Sequence, residues 1–390
     1  MPLSNGNLED QVRECAFSLG FDLVGITDSE PFKSNEKAAM KRINDGHMEG
    51  YHWYTKERVR KMNRPQLLLD NAKSVISLAT SYLTMDPDTG TFKNGRVARY
   101  AWGDDYHKVL KSKLKEFCIK LQDISGKDIN TRIFVDDGPM NDRAAARRSG
   151  VGWFGKNTNI LTPTHGSWVF LSQVITDLYL KPDNPLKKTC GNCVKCIVDC
   201  PTGAIVAPYV IDNEKCISYL TIELRGVIPR KLRTLMGDWI FGCDICQDVC
   251  PVNKKALKGN LGAFQQRPGF STPDLVEILN MDQAEFSRKY KDSPIKRTKL
   301  VGLKRNACVA LGNNGDPDAI TALSIALKTL ESLVRIHAAW ALGRIGGRES
   351  LVVLKEALQF EEDQDTLDEI QMSIGEIGIP LSGEELKNVR

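Results

Sequence analysis

Eight of the eleven cysteines fall between residues 190 and 250, and their spacing constrains this chain more than any other feature. The first run reads Cys190-x2-Cys193-x2-Cys196-x3-Cys200-Pro201. This is the pattern that holds cubane iron–sulfur clusters. Three closely spaced thiolates hold three irons of one cube, and the cysteine before proline turns toward a second cube. A second run, Cys243-x2-Cys246-x3-Cys250-Pro251, lacks a leading cysteine, which Cys216 can supply. By this crossing rule, one cluster takes Cys190, Cys193, Cys196 and Cys250. The other takes Cys200, Cys216, Cys243 and Cys246. Zinc is the competing reading, but four-thiolate zinc sites usually show two C-x2-C pairs. Two adjacent cubanes imply one-electron transfer between an external donor and a redox centre. Clustered thiols point to metal rather than disulfides and, with no apolar core in the opening MPLSNGNLEDQ, to a cytoplasmic protein. Apolar runs such as Ala307–Leu311 and Ala338–Leu342 fall far short of the roughly 20 residues of a membrane span.

A length of 390 residues suggests two or three domains. Residues 1–180 read as α/β. Asn7–Leu19 has helical spacing, and strands are expected over Phe21–Ile26, Ala72–Tyr82, Thr131–Val135 and Trp168–Thr176. Tyr106–Ile124 is an amphipathic helix with Val109, Leu110, Leu114, Phe117, Cys118 and Leu121 on one face, and residues 140–149 look helical. Such alternation favours a sheet with helices packed on it. A Pro/Asn/Asp-rich stretch, Lys181–Lys188, marks a boundary. Residues 181–260 form a ferredoxin-like domain with two clusters. Residues 261–390 hold a connector and a repeat. Arg305–Gly312 resembles Ile336–Gly343 at an offset of 31 residues, and a weaker third copy ends at Gly378. Helix, glycine stop and second helix repeated at that period predict an α-solenoid of HEAT type, which is usually a binding module.

Two motifs are misleading. Gly150-Val-Gly152-Trp-Phe-Gly155 matches a dinucleotide fingerprint but follows a charged helical stretch instead of a strand. The same segment nearly forms a phosphate loop, yet Asn157 stands where Ser or Thr should. The glycines are expected to let the backbone pass close to a large cofactor. Of the histidines, His337 reads as structural, and His107, in Trp102-Gly-Asp-Asp-Tyr-His107 at the opening of a helix, reads as a cap or a core histidine rather than a ligand. Net charge is only +4, but its distribution is uneven. Residues 285–305 carry eight Lys/Arg against Glu285 and Asp292, whereas residues 355–390 carry ten acids against three bases. One basic face and an acidic tail are expected.

WGDDYH, FVDDGP and SGVGWFGKN, followed in order by the two cysteine runs and HEAT-like repeats, together resemble the epoxyqueuosine reductases. These are cobalamin-dependent enzymes of queuosine tRNA modification. The resemblance spans nearly the whole chain. It implies an N-terminal α/β cobalamin-binding domain related to that of reductive dehalogenases, a ferredoxin-like domain with two 4Fe-4S clusters and C-terminal all-α HEAT-like repeats. It implies reduction of the epoxide of epoxyqueuosine at the tRNA wobble base to the alkene of queuosine. The general acid that it implies is Asp136, in Val135-Asp136-Asp137-Gly138, with Asp137 as the fallback and Arg143 as a possible charge partner. Implied cobalamin contacts are Asp136, Lys156, Asn157, Ile160, Leu171, Ser218 beside Cys216, and Asp244 beside Cys243.

The tRNA is expected across the basic stretch that ends in Lys304 and Arg305, with Lys296, Arg297 and Lys299 as contacts. Arg225 is a further contact, and with Arg230, Lys231 and Arg233 it is expected to flank the active-site mouth. The acidic tail should point away from RNA. The expected state is a monomer, without a membrane partner. Two other readings remain open on the residues. A reductive dehalogenase would share the cofactors but usually carries an export signal. A ferredoxin-like electron carrier would have no need of a large α/β domain with an acid at a strand end.

Overall fold

The computed structural model describes residues 6–84, 90–91 and 93–377. Gly378 and the acidic residues beyond it lie outside the described residues. The chain divides into two compact units. The first comprises Met1–Met85, Gly103–Glu214 and Asp244–Gln266; the second comprises Asp86–Trp102, Lys215–Cys243 and Arg267–Arg390. No helix among the described residues is long and apolar enough to cross a membrane.

The first unit is built on a four-stranded sheet in the order Leu23–Asp28, Ser74–Ser81, Val169–Thr176, Thr131–Phe134. Each strand lies within three residues of its expected position. Every neighbouring pair is antiparallel, so strand–helix alternation has not produced a parallel sheet here. All eight residues of Ser74–Ser81 are buried. An antiparallel strand usually leaves one face wet. Here helices cover both faces, which is why this strand lacks polar–apolar alternation. The helices Leu8–Ser18 and Tyr106–Ser125 pack together, and Asp142–Arg148 packs on Ser74–Ser81 and Val169–Thr176. The long helix starts at an Asp105 cap and stops at Gly126, whose φ is +61°. Tyr106, Leu110, Leu114, Phe117 and Leu121 form its buried stripe. Val109 and Cys118 flank that stripe half-buried. Each such apolar side chain contributes about 1.5–3 kcal/mol when fully buried.

The glycine run does not face an open cradle. Trp153–Phe154 and Ile160–Leu161 pair as a tight hairpin. A Cβ on Gly152 would fall 2.5 Å from the Leu161 carbonyl oxygen. The chain itself makes the close approach that sequence reasoning assigned to a cofactor.

The second unit carries the solenoid. Helices Lys299–Asn314, Ser332–Ile345 and Gln364–Ile377 stack in sequence, with Ile320–Ala326 and Gly347–Ala357 as their partners. The repeat glycines sit where successive helices touch. A Cβ on Gly312 would lie 2.8 Å from Ala341 Cα, and one on Gly343 would lie 2.7 Å from Ser373 Cβ. The 31-residue period therefore encodes a packing contact. His337 is buried in this layer, with Nε2 accepting from the Ile228 N–H at 3.2 Å and Nδ1 2.7 Å from the Leu333 carbonyl oxygen. Burial first, then the Arg233 and Arg305 charges, hold it neutral, well below the usual imidazole range.

Candidate active site and cluster ligands

The strand Thr131–Phe134 ends in a turn that forces Asp136 to φ +50°, and Gly138 follows at +101°. A non-glycine residue held in the left-handed region costs roughly 1–3 kcal/mol and needs surrounding structure to hold it. Here the turn leaves Asp136 exposed beyond the sheet end. The Tyr106 hydroxyl donates to Asp136 Oδ2 at 2.7 Å. Tyr106 is fixed between rings. Phe170 stacks on it at 4.2 Å and 7°, and His107 stacks at 4.0 Å. Asp105 accepts from the His107 N–H at 3.1 Å and lies 2.8 Å from its Nδ1. His107 is thus held in the helix cap, and the same cap places Tyr106.

Asp137 is committed elsewhere. Its Oδ1 accepts from the Val135 N–H at 3.0 Å, and its other oxygen pairs with Lys111. Sequence reasoning passed over two residues. Tyr106 stands in a motif whose reading rests on its histidine, and its stacked ring gives no signal in sequence. Asp142 opens the helix Asp142–Arg148, where an acid looks like an ordinary helix-terminus charge. Its Oδ1 is buried with no hydrogen-bond partner among the described residues. Burial, then the negative charges of Asp136 and Asp137, push its carboxyl well above the ordinary range against the pull of Arg143. Asp142 therefore keeps its proton at pH values where an ordinary aspartate has lost it. Arg143 itself is exposed, and its charge bears on Asp142 and on Tyr54.

An aromatic surface adjoins this turn. Tyr51 and Trp53 lie 5.0 Å apart, and Trp53 and Tyr54 5.7 Å apart. Trp53 is 46% exposed. The Arg58 guanidinium lies over the Trp53 ring at 4.9 Å and donates to the Gly138 carbonyl at 3.0 Å. The aromatic group and the acid-bearing turn are thus joined through one arginine.

All eight clustered cysteines are half-buried, and none is in a disulfide. Cys196 is pushed up to about 11 by burial and then by the charges of Cys190, Cys250 and Cys193. Burial also raises Cys250, with Cys190 and Cys193 adding to it. Thiolates gathered at these positions would repel one another, and a cationic iron core, which binds the thiolate form, would relieve that repulsion. Cys200 and Cys246 belong to the first unit, and Cys216 and Cys243 to the second.

Several residues expected at a corrin make contacts within the protein. Lys156 Nζ donates to the Gly191 carbonyl at 2.8 Å, beside Cys190. Asn157 is buried and donates through Nδ2 to the Cys246 carbonyl at 3.1 Å. Both side chains hold cysteine loops. Ile160 is enclosed with Ala79, Ala146 and Val151, so it occupies a core position, and Leu171 packs half-buried against that cluster. Ser218 is half-buried on the helix Ile217–Ile222, and Asp244 is buried at the start of Ile245–Asp248.

The basic stretch also separates by role. Lys296, Arg297 and Lys299 are exposed, and Lys299 sits at φ +61°. Arg225 braces this loop, donating to the Arg297 carbonyl at 2.9 Å and the Thr298 carbonyl at 3.2 Å. Arg297 is paired with Glu223. Arg305, expected at the RNA, is fully buried and donates to the carbonyls of Leu220, Leu224 and Gly226. Arg230 and Arg233, expected at the mouth, pair with Glu369 of the acidic segment, and Arg230 also pairs with Glu376. Part of that segment therefore neutralises arginines of its own unit.

Comparison with known proteins fits this division. Residues 189–253 match a 4Fe-4S double cluster binding domain, residues 63–137 the epoxyqueuosine reductase QueG model, and residues 301–375 HEAT repeats. An epoxyqueuosine reductase of Salmonella typhimurium is 37% identical over 347 residues, covering 88% of this chain and 90% of that one. The chain belongs to the epoxyqueuosine reductase family. An epoxyqueuosine reductase of Bacillus subtilis is 34% identical over 375 residues, covering 94% and 95% of the two chains. A solved epoxyqueuosine reductase bound to an epoxyqueuosine-modified tyrosine tRNA stem loop superposes with a TM-score of 0.89 at 34% identity, covering 95% and 99%. Another, from Bacillus subtilis, has a TM-score of 0.88 at 34% identity and is described with its catalytic aspartate loop swung out of the active site. The epoxyqueuosine reductase fold thus extends over nearly all of this chain, with α/β, double-cluster and HEAT-repeat parts in the expected order.

Proposed function

We propose that this chain reduces epoxyqueuosine to queuosine at the wobble position of tRNA, in the cytoplasm, as a monomer served by an external one-electron donor. The observation that carries the reading is the exposed Asp136, in a left-handed turn, with Tyr106 on Oδ2 and the half-buried Asp142, its Oδ1 enclosed, beside it. Family membership and the relative bound to an epoxyqueuosine stem loop support it. For these tasks we divide the chain into a cobalamin-binding part over 1–180, a cluster part over 181–260 and an RNA-facing part over 261–390.

Converting an epoxide to an alkene and water consumes two electrons and two protons. When bound, the two 4Fe-4S clusters and cobalamin supply the electrons singly and the low-valent metal that meets the epoxide. This chain's residues manage the protons. Asp136 protonates the leaving oxygen, which departs poorly as an alkoxide. Tyr106 holds Oδ2, leaving Oδ1 to carry the proton to the substrate. Asp142, raised by burial and by the negative charges of Asp136 and Asp137, holds its proton more tightly than an ordinary aspartate and so adds less negative charge beside Asp136.

The aromatic group of Tyr51, Trp53 and Tyr54 beside the acid, with Trp53 exposed and the two tyrosines half-buried, suits a flat macrocycle with apolar faces. It would hold cobalamin with Asp136 and Leu171, and Ser218 and Asp244 would adjoin the cofactor near the cluster cysteines. One cluster takes Cys190, Cys193, Cys196 and Cys250, and the other takes Cys200, Cys216, Cys243 and Cys246. Lys296, Arg297 and Lys299 meet phosphates, and Arg225 positions their loop. The wobble base leaves its stack to reach the acid.

The test is titration of anaerobically reconstituted protein with cobalamin, followed by addition of an epoxyqueuosine stem loop. The cobalamin spectrum should change on binding, and the epoxide should be consumed when a low-potential reductant is added. A protein that binds iron but leaves the cobalamin spectrum untouched would be an electron carrier instead.

A further inference from the structure

Val198 is 73% exposed, Val194 44% and Val206 42%. Val194 precedes, and Val198 ends, the short helix Lys195–Val198. Four residues apart, they share one face of it. Val206 lies on the strand Ile205–Ala207, which packs against that helix. Single exposed apolar residues need no explanation. These three are interleaved with cluster ligands, since Cys193, Cys196 and Cys200 alternate with them along the chain.

The rim is basic. Lys187 and Lys195 are exposed. So is Lys254, on the Pro251–Lys255 turn that follows Cys250 and packs on the helix Ile245–Asp248, itself packed on Lys195–Val198. The exposed acids here are Asp199, after that helix, and Asp248, at the end of Ile245–Asp248. An apolar centre with a charged rim is how transient protein contacts are built, and redox encounters are among the smallest of them. RNA would instead call for aromatic platforms and a denser run of cations.

We propose that Val194, Val198 and Val206, rimmed by Lys187, Lys195 and Lys254, form the docking surface for an acidic one-electron carrier protein that reduces the cluster of Cys190, Cys193, Cys196 and Cys250. This rests on the cluster assignment of the proposed function and adds the partner and its point of entry. Each encounter moves one electron from the reduced carrier to the oxidised cluster, with no bond made or broken, and the carrier leaves oxidised. Two encounters supply the two electrons of one epoxide.

The test uses the holoenzyme and a reduced acidic flavodoxin as probe, with dithionite as a small reductant that needs no docking surface. Cluster bleaching is followed by stopped flow, and flavodoxin affinity is measured separately by interferometry. Two variants are compared: Val198→Asp, and the triple Lys187→Glu, Lys195→Glu, Lys254→Glu. In both, the flavodoxin rate and affinity should fall at least about tenfold at low salt, because rim charges act mainly on association. Iron content and the dithionite rate should stay at wild-type values. The wild-type flavodoxin rate should fall with added salt, and the triple variant should lose that dependence. Unchanged flavodoxin rates in both variants at full iron content would overturn the proposal. So would a loss of tRNA affinity with flavodoxin reduction intact, which would make this an RNA surface. Normal flavodoxin reduction of clusters without epoxide turnover would contradict the proposed function and leave the docking surface standing.

Discussion

The Tyr106 hydroxyl donates to Asp136 Oδ2 at 2.7 Å, linking the first turn of the long helix to the turn that ends the strand Thr131–Phe134. This one contact fixes which oxygen of the acid is occupied.

Tyr106→Phe keeps the ring between Phe170 and His107 and removes only the hydroxyl. A hydrogen bond to a group that becomes charged contributes about 1.5–3 kcal/mol. The turnover rate should fall roughly tenfold to a hundredfold, since about 1.4 kcal/mol corresponds to one decade. Affinity for tRNA and the cluster spectra should not change, and steady-state kinetics with spectra of the same preparation check this.

Asp142→Asn gives a pH-dependent change in stability. The folded carboxyl binds its proton more tightly than the unfolded one, because burial and the charges of Asp136 and Asp137 raise it. The unfolded state therefore releases that proton first as pH rises past 3.8, the ordinary aspartate value, and folding loses free energy from there up to the folded pKa. The amide carries no charge and escapes this loss. Denaturant melts should show Asp142→Asn more stable than wild type at neutral pH, with the difference vanishing below the unfolded value.

Cys216→Ala should halve the iron content, from about eight to about four irons per chain, because each cubane has its own four thiolates. Cys250→Ala should remove the other cluster. Iron and acid-labile sulfide analysis of anaerobic protein checks both. Tightly bound zinc without sulfide would return the cysteines to the zinc reading.

How far the sequence carried this account depends on what each signal encodes. Cysteine spacing and the 31-residue repeat are local patterns, and both were readable. The buried stripe of Tyr106–Ser125 followed from helical periodicity. Arg305 shows the limit. It looks like part of a basic face in the sequence, yet its buried guanidinium donates to the carbonyls of Leu220, Leu224 and Gly226, a commitment that only the fold creates. Lys156 and Asn157 are expected at a cofactor from the family resemblance alone, and their bonds to the carbonyls of Gly191 and Cys246 are contacts that only the fold creates. Asp142 gave no signal at all, because an acid at a helix start looks the same whether wet or enclosed.

The triple replacement of Lys296, Arg297 and Lys299 by Glu should weaken tRNA binding and flatten its salt dependence. Each lost phosphate contact should reduce the log–log slope by about 0.7–0.9. Arg225→Ala should weaken binding less and leave most of the slope, since Arg225 braces the loop through the carbonyls of Arg297 and Thr298. Filter binding across a salt series checks both variants.

The most direct measurement is single-turnover conversion of an epoxyqueuosine stem loop by wild type and Asp136→Asn, matched in iron and cobalamin content, with nucleosides read by mass spectrometry. Wild type should convert the epoxide to the alkene with loss of one oxygen atom. Asp136→Asn should bind the stem loop equally and convert it about 10²–10⁴-fold more slowly, as expected for a lost positioned acid. An intact epoxide with fully loaded wild type, or an Asp136→Asn variant at wild-type rate while Asp137→Asn fails, would contradict the account.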